Sequence, residues 1–151
     1  MRGFWLFVHM SGFLLWLGGG IATMVAGVSA KRFTPADRLA VYRVISAVQR
    51  ILVGTGAAAV VLSGFMLSMA FMSSGAVPGW MMLMMVAGLV GAFAAIGISV
   101  PTAARLGRLE LDPRGELPEA FFKLRQRQIF AGSIAGGLGL LALLAATIFR
   151  G

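Results

Sequence analysis

The sequence predicts an all-α polytopic membrane protein, an antiparallel bundle of four transmembrane helices. Hydrophobic residues make up 59% of the 151-residue chain, charged residues only 12%, and the mean hydropathy is +0.92, which is more apolar than a water-soluble domain requires. Four apolar runs are each long enough to cross about 30 Å of hydrocarbon, which takes roughly 20 helical residues. These runs are Phe4–Ser29, Gln49–Met72, Trp80–Pro101 and Ile129–Phe149. We therefore expect a single membrane domain over residues 1–151.

The first run contains the only histidine of the chain, His9, and no other ionisable side chain. The run is too long for a cleaved signal peptide, so we expect it to be retained as a span. Five residues at steps of three and four share one helix face: His9, Gly12, Trp16, Gly19 and Thr23. Because an ionisable group inside a membrane is costly, this face is a candidate functional site. A planar ligand or another helix could approach its glycines closely.

The second run follows a loop, residues 30–48, that holds four basic residues and one acid. Thr34, Pro35 and Asp37 form a typical helix start, with a capping threonine, proline at the first position and an acid in the first turn. We expect this helix to continue into the second span. Arg50 then lies near the membrane boundary, where it either snorkels to the surface or contacts an anionic group such as a lipid phosphate or a propionate.

The third and fourth runs flank a second basic loop, residues 102–128, with six basic residues and four acids, whereas the connection 73–79 carries no charge. The positive-inside rule places both basic loops in the cytoplasm and both termini outside, in a bacterial inner membrane. Pro101 is expected to close the third span. An amphipathic segment that begins at Phe121 should lead into the fourth.

Methionines cluster in the half of the bundle that contains His9. With His9, the thioethers of Met10, Met66, Met69 and Met81 would suit copper(I). The alternative is that these methionines are flexible apolar packing residues. The chain has no cysteine, which excludes a thiolate metal site made by this chain alone. Its basic residues flank spans and line no single groove, so nucleic-acid binding is not predicted.

All four spans carry small residues at helical spacing, such as Gly56 and Gly64, and Gly132 and Gly136. Such spacings let helices approach closely. The expected neighbours are the lipid bilayer together with a second copy of the chain or a larger membrane complex. A non-catalytic accessory subunit that packs through these faces is therefore one functional hypothesis.

The chain also resembles the HemJ-type protoporphyrinogen oxidases and the CopD-type copper-resistance membrane domain. The likeness rests first on the pattern His9-x6-Trp16-x-Gly18-Gly19 in the first span. An arginine precedes the second span (Arg50), and a Gly-Trp opens the third (Gly79 and Trp80). An Arg-rich segment follows the third span (Arg105 and Arg108), and a Phe-rich segment precedes the fourth (Phe121 and Phe122). The resemblance implies haem b or porphyrin binding, with His9 as axial ligand, Trp16 and the glycines beside the ring, and Arg50 on a propionate.

Two departures separate the chain from the HemJ type. Met84 stands where that type has a lysine after the Gly-Trp, and the end of the third span offers Ala95, Gly97 and Ser99 in place of a second histidine. The resemblance thus carries over haem association and not the oxidase reaction, so no enzymatic activity is assigned. Three hypotheses follow: a haem- or porphyrin-associated redox protein, an accessory subunit without a cofactor, and a copper-handling protein.

Overall fold

The computed structural model describes residues 1–72, 75 and 77–148, and its regular elements are all helical. They are α1 (Arg2–Ser29), α2 (Pro35–Val48), α3 (Thr55–Met72), α4 (Gly79–Phe93), α5 (Val100–Leu106) and α6 (Glu119–Thr147). Six-residue π-helical segments, Gln49–Gly54 and Ala94–Ser99, join α2 to α3 and α4 to α5. Four long helices are therefore apolar enough to cross a membrane: Arg2–Arg32, Pro35–Met69, Gly79–Leu106 and Glu119–Thr147. The predicted four-helix membrane fold is confirmed.

The second long helix begins where the sequence predicts. The backbone N–H of Asp37 donates to the Thr34 hydroxyl oxygen at 3.2 Å, and that hydroxyl donates to the Asp37 carboxylate at 2.7 Å. Pro35 occupies the first helical position, where its missing N–H leaves no hydrogen bond unmade. The helix then runs without a break into the second span, as expected.

The third span is predicted to end at Pro101, and the helix that contains it continues past this residue to Leu106. A proline inside an α-helix clashes with the carbonyl four residues earlier, here that of Gly97. Gly97 lies in the π-helical segment Ala94–Ser99, whose wider turn changes the position of this carbonyl. The basic loop is shorter than expected for the same reason, since only residues 107–118 separate α5 from α6. Phe149, the predicted end of the fourth span, lies outside the described residues.

The bundle consists of two closely packed helix pairs, α1 with α3 and α4 with α6. Glycines allow the first pair to touch backbone to backbone. A Cβ placed on Gly56 would lie 2.6 Å from the carbonyl oxygen of Gly12 and 2.7 Å from the backbone nitrogen of Trp16. A Cβ on Gly12 would lie 2.9 Å from Ala59. The small-residue spacing in these two helices therefore serves helix packing.

At the end that carries the two charged loops, hereafter the basic end, a cluster of buried apolar residues extends the bundle. It consists of Leu39, Tyr42, Ile45, Leu106 and Phe121. The rings of Tyr42 and Phe121 meet edge to face at 4.9 Å between centroids, and the Arg38 guanidinium lies 4.9 Å from the centre of the Phe121 ring. This cluster fixes α2 and the start of α6, and thereby positions the polar groups described next.

Candidate ligand groove

A groove opens between α1 and α6, which have few contacts with each other. Its cavity measures about 550 Å³, within the 300–1,000 Å³ usual for small-molecule sites. Glycines of α6 form one wall, and a Cβ on Gly132, Gly136 or Gly137 would meet no atom within 4 Å. This stripe thus leaves open space, unlike the packed glycines of α1 and α3.

The indole of Trp16 closes the deep end of the groove and is only 2% exposed. It reaches across the bundle, since Cβ atoms placed on Gly91 and Gly139 would lie 3.1 Å and 3.9 Å from its ring. Exposed apolar side chains, Ile21, Met24 and Ile129, form the rim. From Trp16 to Lys31 the α1 wall rises about 22 Å at 1.5 Å per residue, so the groove follows the bundle from its middle to the basic end.

Four side chains, one from each long helix, form a chain of hydrogen bonds beside the groove, hereafter the polar chain. The Gln49 amide donates to the Thr23 hydroxyl oxygen at 3.0 Å, and the Ser99 hydroxyl donates to the Gln49 carbonyl oxygen at 3.2 Å. The Gln128 amide donates to the Ser99 hydroxyl oxygen at 2.9 Å. Thr23, Gln49 and Ser99 are 9%, 3% and 1% exposed. All four residues line the groove.

The hydrogen bond that Thr23 makes at one end of the polar chain determines which group donates and which accepts in the rest of it. Thr23 donates its single hydroxyl proton to the backbone carbonyl of Gly20 at 2.9 Å, and a carbonyl can only accept. Thr23 must then accept from Gln49, and Ser99, which also has one proton, must donate to Gln49 and accept from Gln128. The carbonyl oxygen of Gln128 is therefore left as an acceptor. This buried atom has no hydrogen-bond partner among the described residues.

Two cations lie where the groove reaches the basic end. Lys31 and Arg125 both line it, and the Arg125 Nε donates to the hydroxyl of Tyr42 at 3.0 Å. Neither cation forms an ion pair within the described part of the chain, where the observed pair is Glu119 with Lys123. The groove thus combines an apolar length with a positively charged end.

The predicted face of α1 is buried in part against other helices. Gly12, Trp16, Gly19 and Thr23 are its buried residues, and Cβ atoms on Gly12 and Gly19 would each lie 2.9 Å from a side chain of the second long helix. The sequence predicts that either a planar ligand or another helix approaches the glycines of this face. In the structure a helix packs against Gly12 and Gly19, while Trp16 and Thr23 line the groove. Arg50, predicted to contact an anionic group, is exposed and is not part of the groove.

His9 lies away from the groove, between α1 and α3. Its Nδ1 is 3.1 Å from the Val60 carbonyl oxygen and 3.0 Å from the Ser63 hydroxyl oxygen. Because the Val60 carbonyl can only accept, Nδ1 carries the proton and Nε2 is the unprotonated nitrogen. Gly64 leaves room for the ring, since a Cβ there would lie 3.2 Å from His9 Cε1.

The methionines predicted as metal ligands differ in exposure. Met10, Met66 and Met69 are exposed, whereas Met81 is buried. The described residues contain no group of three or more His, Asp or Glu side chains that could hold a metal ion. The copper hypothesis therefore depends on His9 and thioethers alone.

Three residues of the hydrogen-bonded chain were not predicted as site residues: Gln49, Ser99 and Gln128. A signal was present, since Gln49 and Gln128 are uncharged polar residues at the borders of apolar runs. No protein-family model matches the chain, and neither a curated protein nor a solved structure matches it significantly. The resemblance to the HemJ and CopD types stays a prediction from the sequence.

Proposed function

We propose that this protein binds an anionic amphiphile of the cytoplasmic leaflet in the groove between α1 and α6. The observation that carries the proposal is the cavity of about 550 Å³ that ends at Lys31 and Arg125. An apolar chain would lie against Ile21, Met24 and the glycines of α6, and an anionic group would meet the two cations. No reaction is assigned, so the proposed role is that of a binding or accessory protein.

The position of the cations supports an anionic rather than a neutral ligand. Lys31, in the turn that follows α1, and Arg125, in α6, both line the groove. A hydrogen bond to a charged partner contributes about 1.5–3 kcal/mol. The positive-inside rule places this end at the cytoplasmic surface, where both fatty-acid carboxylates and lipid phosphates are available.

The proposal is tested by equilibrium binding of tetradecanoate and of a single-chain phosphatidic acid to the protein in phosphatidylcholine nanodiscs. Lys31→Gln and Arg125→Gln should each weaken binding about tenfold or more. Arg32→Gln and Arg127→Gln are matched controls, since they remove the same charge nearby but lie outside the groove lining. Equal losses in all four variants would indicate surface attraction only and would contradict the proposal. Preference for one probe would distinguish carboxylate from phosphate.

A second candidate, haem binding at His9, is favoured by the hydrogen bond to Val60. A ring nitrogen held by a backbone carbonyl leaves the other nitrogen available, an arrangement common among metal-binding histidines. When bound, haem would supply one-electron redox chemistry. A Soret band that is lost in His9→Ala and kept in Arg43→Ala, at an exposed position, would support it, and a colourless protein from haem-replete cells would contradict it. Metal analysis of the same sample tests copper.

A further inference from the structure

We infer that the groove limits the length of its ligand and accepts an apolar chain of up to about 18 carbons, counted from the anionic group. Trp16 sets this limit, because its indole closes the deep end of the groove. The inference rests on the proposed function, since it concerns the same groove. It specifies the ligand class as a long-chain anionic amphiphile of the length of a common fatty acid, and it excludes very long chains.

The deep end is closed because the Trp16 indole fills the space between α1 and α6. A Cβ on Gly139 of α6 would lie 3.9 Å from the indole, and one on Gly91 of α4 would lie 3.1 Å from it. Leu17 packs against α6 at the same depth, since a Cβ on Gly139 would lie 3.1 Å from its Cδ2. The Phe13 ring meets the indole edge to face at 6.0 Å between centroids. A chain that reaches Trp16 therefore meets a ring that three helices hold in place.

The length of the two walls sets the number of carbons. The lining of α1 extends from Lys31 to Trp16 and that of α6 from Arg125 to Leu140, which is about 22 Å along each helix at 1.5 Å per residue. An extended polypeptide covers about 3.3–3.6 Å with three bonds, so an extended hydrocarbon chain covers about 1.2 Å per carbon. About 18 carbons therefore fit between an anion at Arg125 and the indole of Trp16.

Glycines keep the path between the two ends free. Cβ atoms on Gly20, Gly132 and Gly136 would meet no atom within 4 Å, and all three residues line the groove. Gly132 and Gly136 lie about 11 Å and 17 Å from Arg125 along α6. A leucine at either position would fill the groove at that depth and should lower the limit to about 9 or 14 carbons respectively.

Chain length should affect binding only beyond the limit. Lipid tails are as apolar as the groove, so the affinity, measured against the mole fraction of ligand in the bilayer, should not rise with each added methylene. A chain that is too long must displace packed side chains or leave the groove. Overfilling of a closed apolar space should weaken binding about fivefold or more.

The test measures binding of four saturated acids to the protein in phosphatidylcholine nanodiscs: octanoate, dodecanoate, hexadecanoate and icosanoate. We expect the wild type to bind the first three equally and icosanoate about fivefold or more weakly. Gly136→Leu should also weaken binding of hexadecanoate, and Gly132→Leu should weaken binding of dodecanoate as well. Gly18→Leu is the matched control, because Gly18 is exposed outside the groove lining and a Cβ there would meet no atom within 4 Å. It should keep the wild-type series. Trp16→Leu, which removes the ring from the deep end, should restore binding of icosanoate.

The outcomes separate the inference from the proposed function. Equal binding of all four acids by the wild type, still weakened by Arg125→Gln, would overturn the inference and leave the anionic groove in place. The same length limit in the wild type, Gly136→Leu and Gly132→Leu would also overturn it, because the chain would then not follow the groove. Binding of none of the acids would overturn the proposed function and the inference together. The wild type and the glycine variants decide the matter even if Trp16→Leu fails to fold.

Discussion

Replacing Gly56 with alanine tests the backbone packing that holds α1 against α3. The added Cβ would lie 2.6 Å from the Gly12 carbonyl oxygen, about 0.8 Å short of ordinary contact at 3.4 Å. Both neighbouring atoms are backbone, so no side chain can rotate away, and the two helices must separate. Overpacking of this kind costs about 1–3 kcal/mol.

The matched control is Gly18→Ala, where a Cβ would meet no atom within 4 Å. Both substitutions exchange glycine for alanine within a helix and gain about 1 kcal/mol of helix propensity, so this gain cancels in the comparison. We expect Gly56→Ala to have the lower free energy of unfolding by about 1–3 kcal/mol. The assay is circular dichroism during titration of sodium dodecyl sulfate into dodecyl maltoside micelles. Equal stability of the two variants would refute the close approach of α1 and α3.

Three further predictions concern the polar chain, the topology and His9. Gln49→Leu removes one of the two hydrogen bonds of each of the buried hydroxyls of Thr23 and Ser99 and should lower the free energy of unfolding by about 1–3 kcal/mol, whereas Gln126→Leu, at an exposed position, should change it little. A cysteine introduced at Gly75 should react with a membrane-impermeant maleimide in intact cells, and one introduced in the segment 107–118 should not; the opposite labelling would invert the topology. His9→Ala removes the hydrogen bond to Val60 and should lower the free energy of unfolding by about 1 kcal/mol in the same titration.

The number and order of the helices follow from the sequence because they depend on local features. Apolar length alone predicts four spans. Thr34 and Pro35 set the start of the second long helix, since the Thr34 hydroxyl accepts a hydrogen bond from the backbone N–H of Asp37, only three residues along the chain. The helix ends were less predictable. Pro101 would normally terminate a helix, and its tolerance depends on the π-helical turn that precedes it.

The polar chain could not be predicted because it depends on π-helical turns. Buried residues recur every fourth position from Ile45 through Gln49 and Val53 to Ala57. In an ordinary α-helix with 3.6 residues per turn, residues at this spacing would gradually turn away from one face. The wider π-helical turns of Gln49–Gly54 keep these residues on the same face. Sequence periodicity that assumes 3.6 residues per turn therefore assigns Gln49 to a span border instead of the core.

The groove could not be predicted from the sequence, because small residues occur both where helices pack closely and where they line a cavity. Gly19 on α1 and Gly132 on α6 have the same kind of neighbours in sequence, yet a Cβ on Gly19 would lie 2.9 Å from Val53 and one on Gly132 would meet open space. Small residues permit close approach without requiring it. Which glycines pack and which line a cavity is decided by the tertiary arrangement of the helices, in which α1 and α6 have few contacts.

The most direct test of the groove is fluorescence quenching of Trp16 by a fatty acid brominated at the end of its chain. Trp5→Phe and Trp80→Phe together leave Trp16 as the only tryptophan. With the carboxylate at Lys31 and Arg125, the chain end lies towards Trp16, so we expect saturable quenching that Arg125→Gln weakens and Arg127→Gln does not. The matched protein that retains only Trp80, which is not part of the groove lining, should be quenched weakly and without saturation. Equal quenching of the two tryptophans would contradict a ligand in the groove.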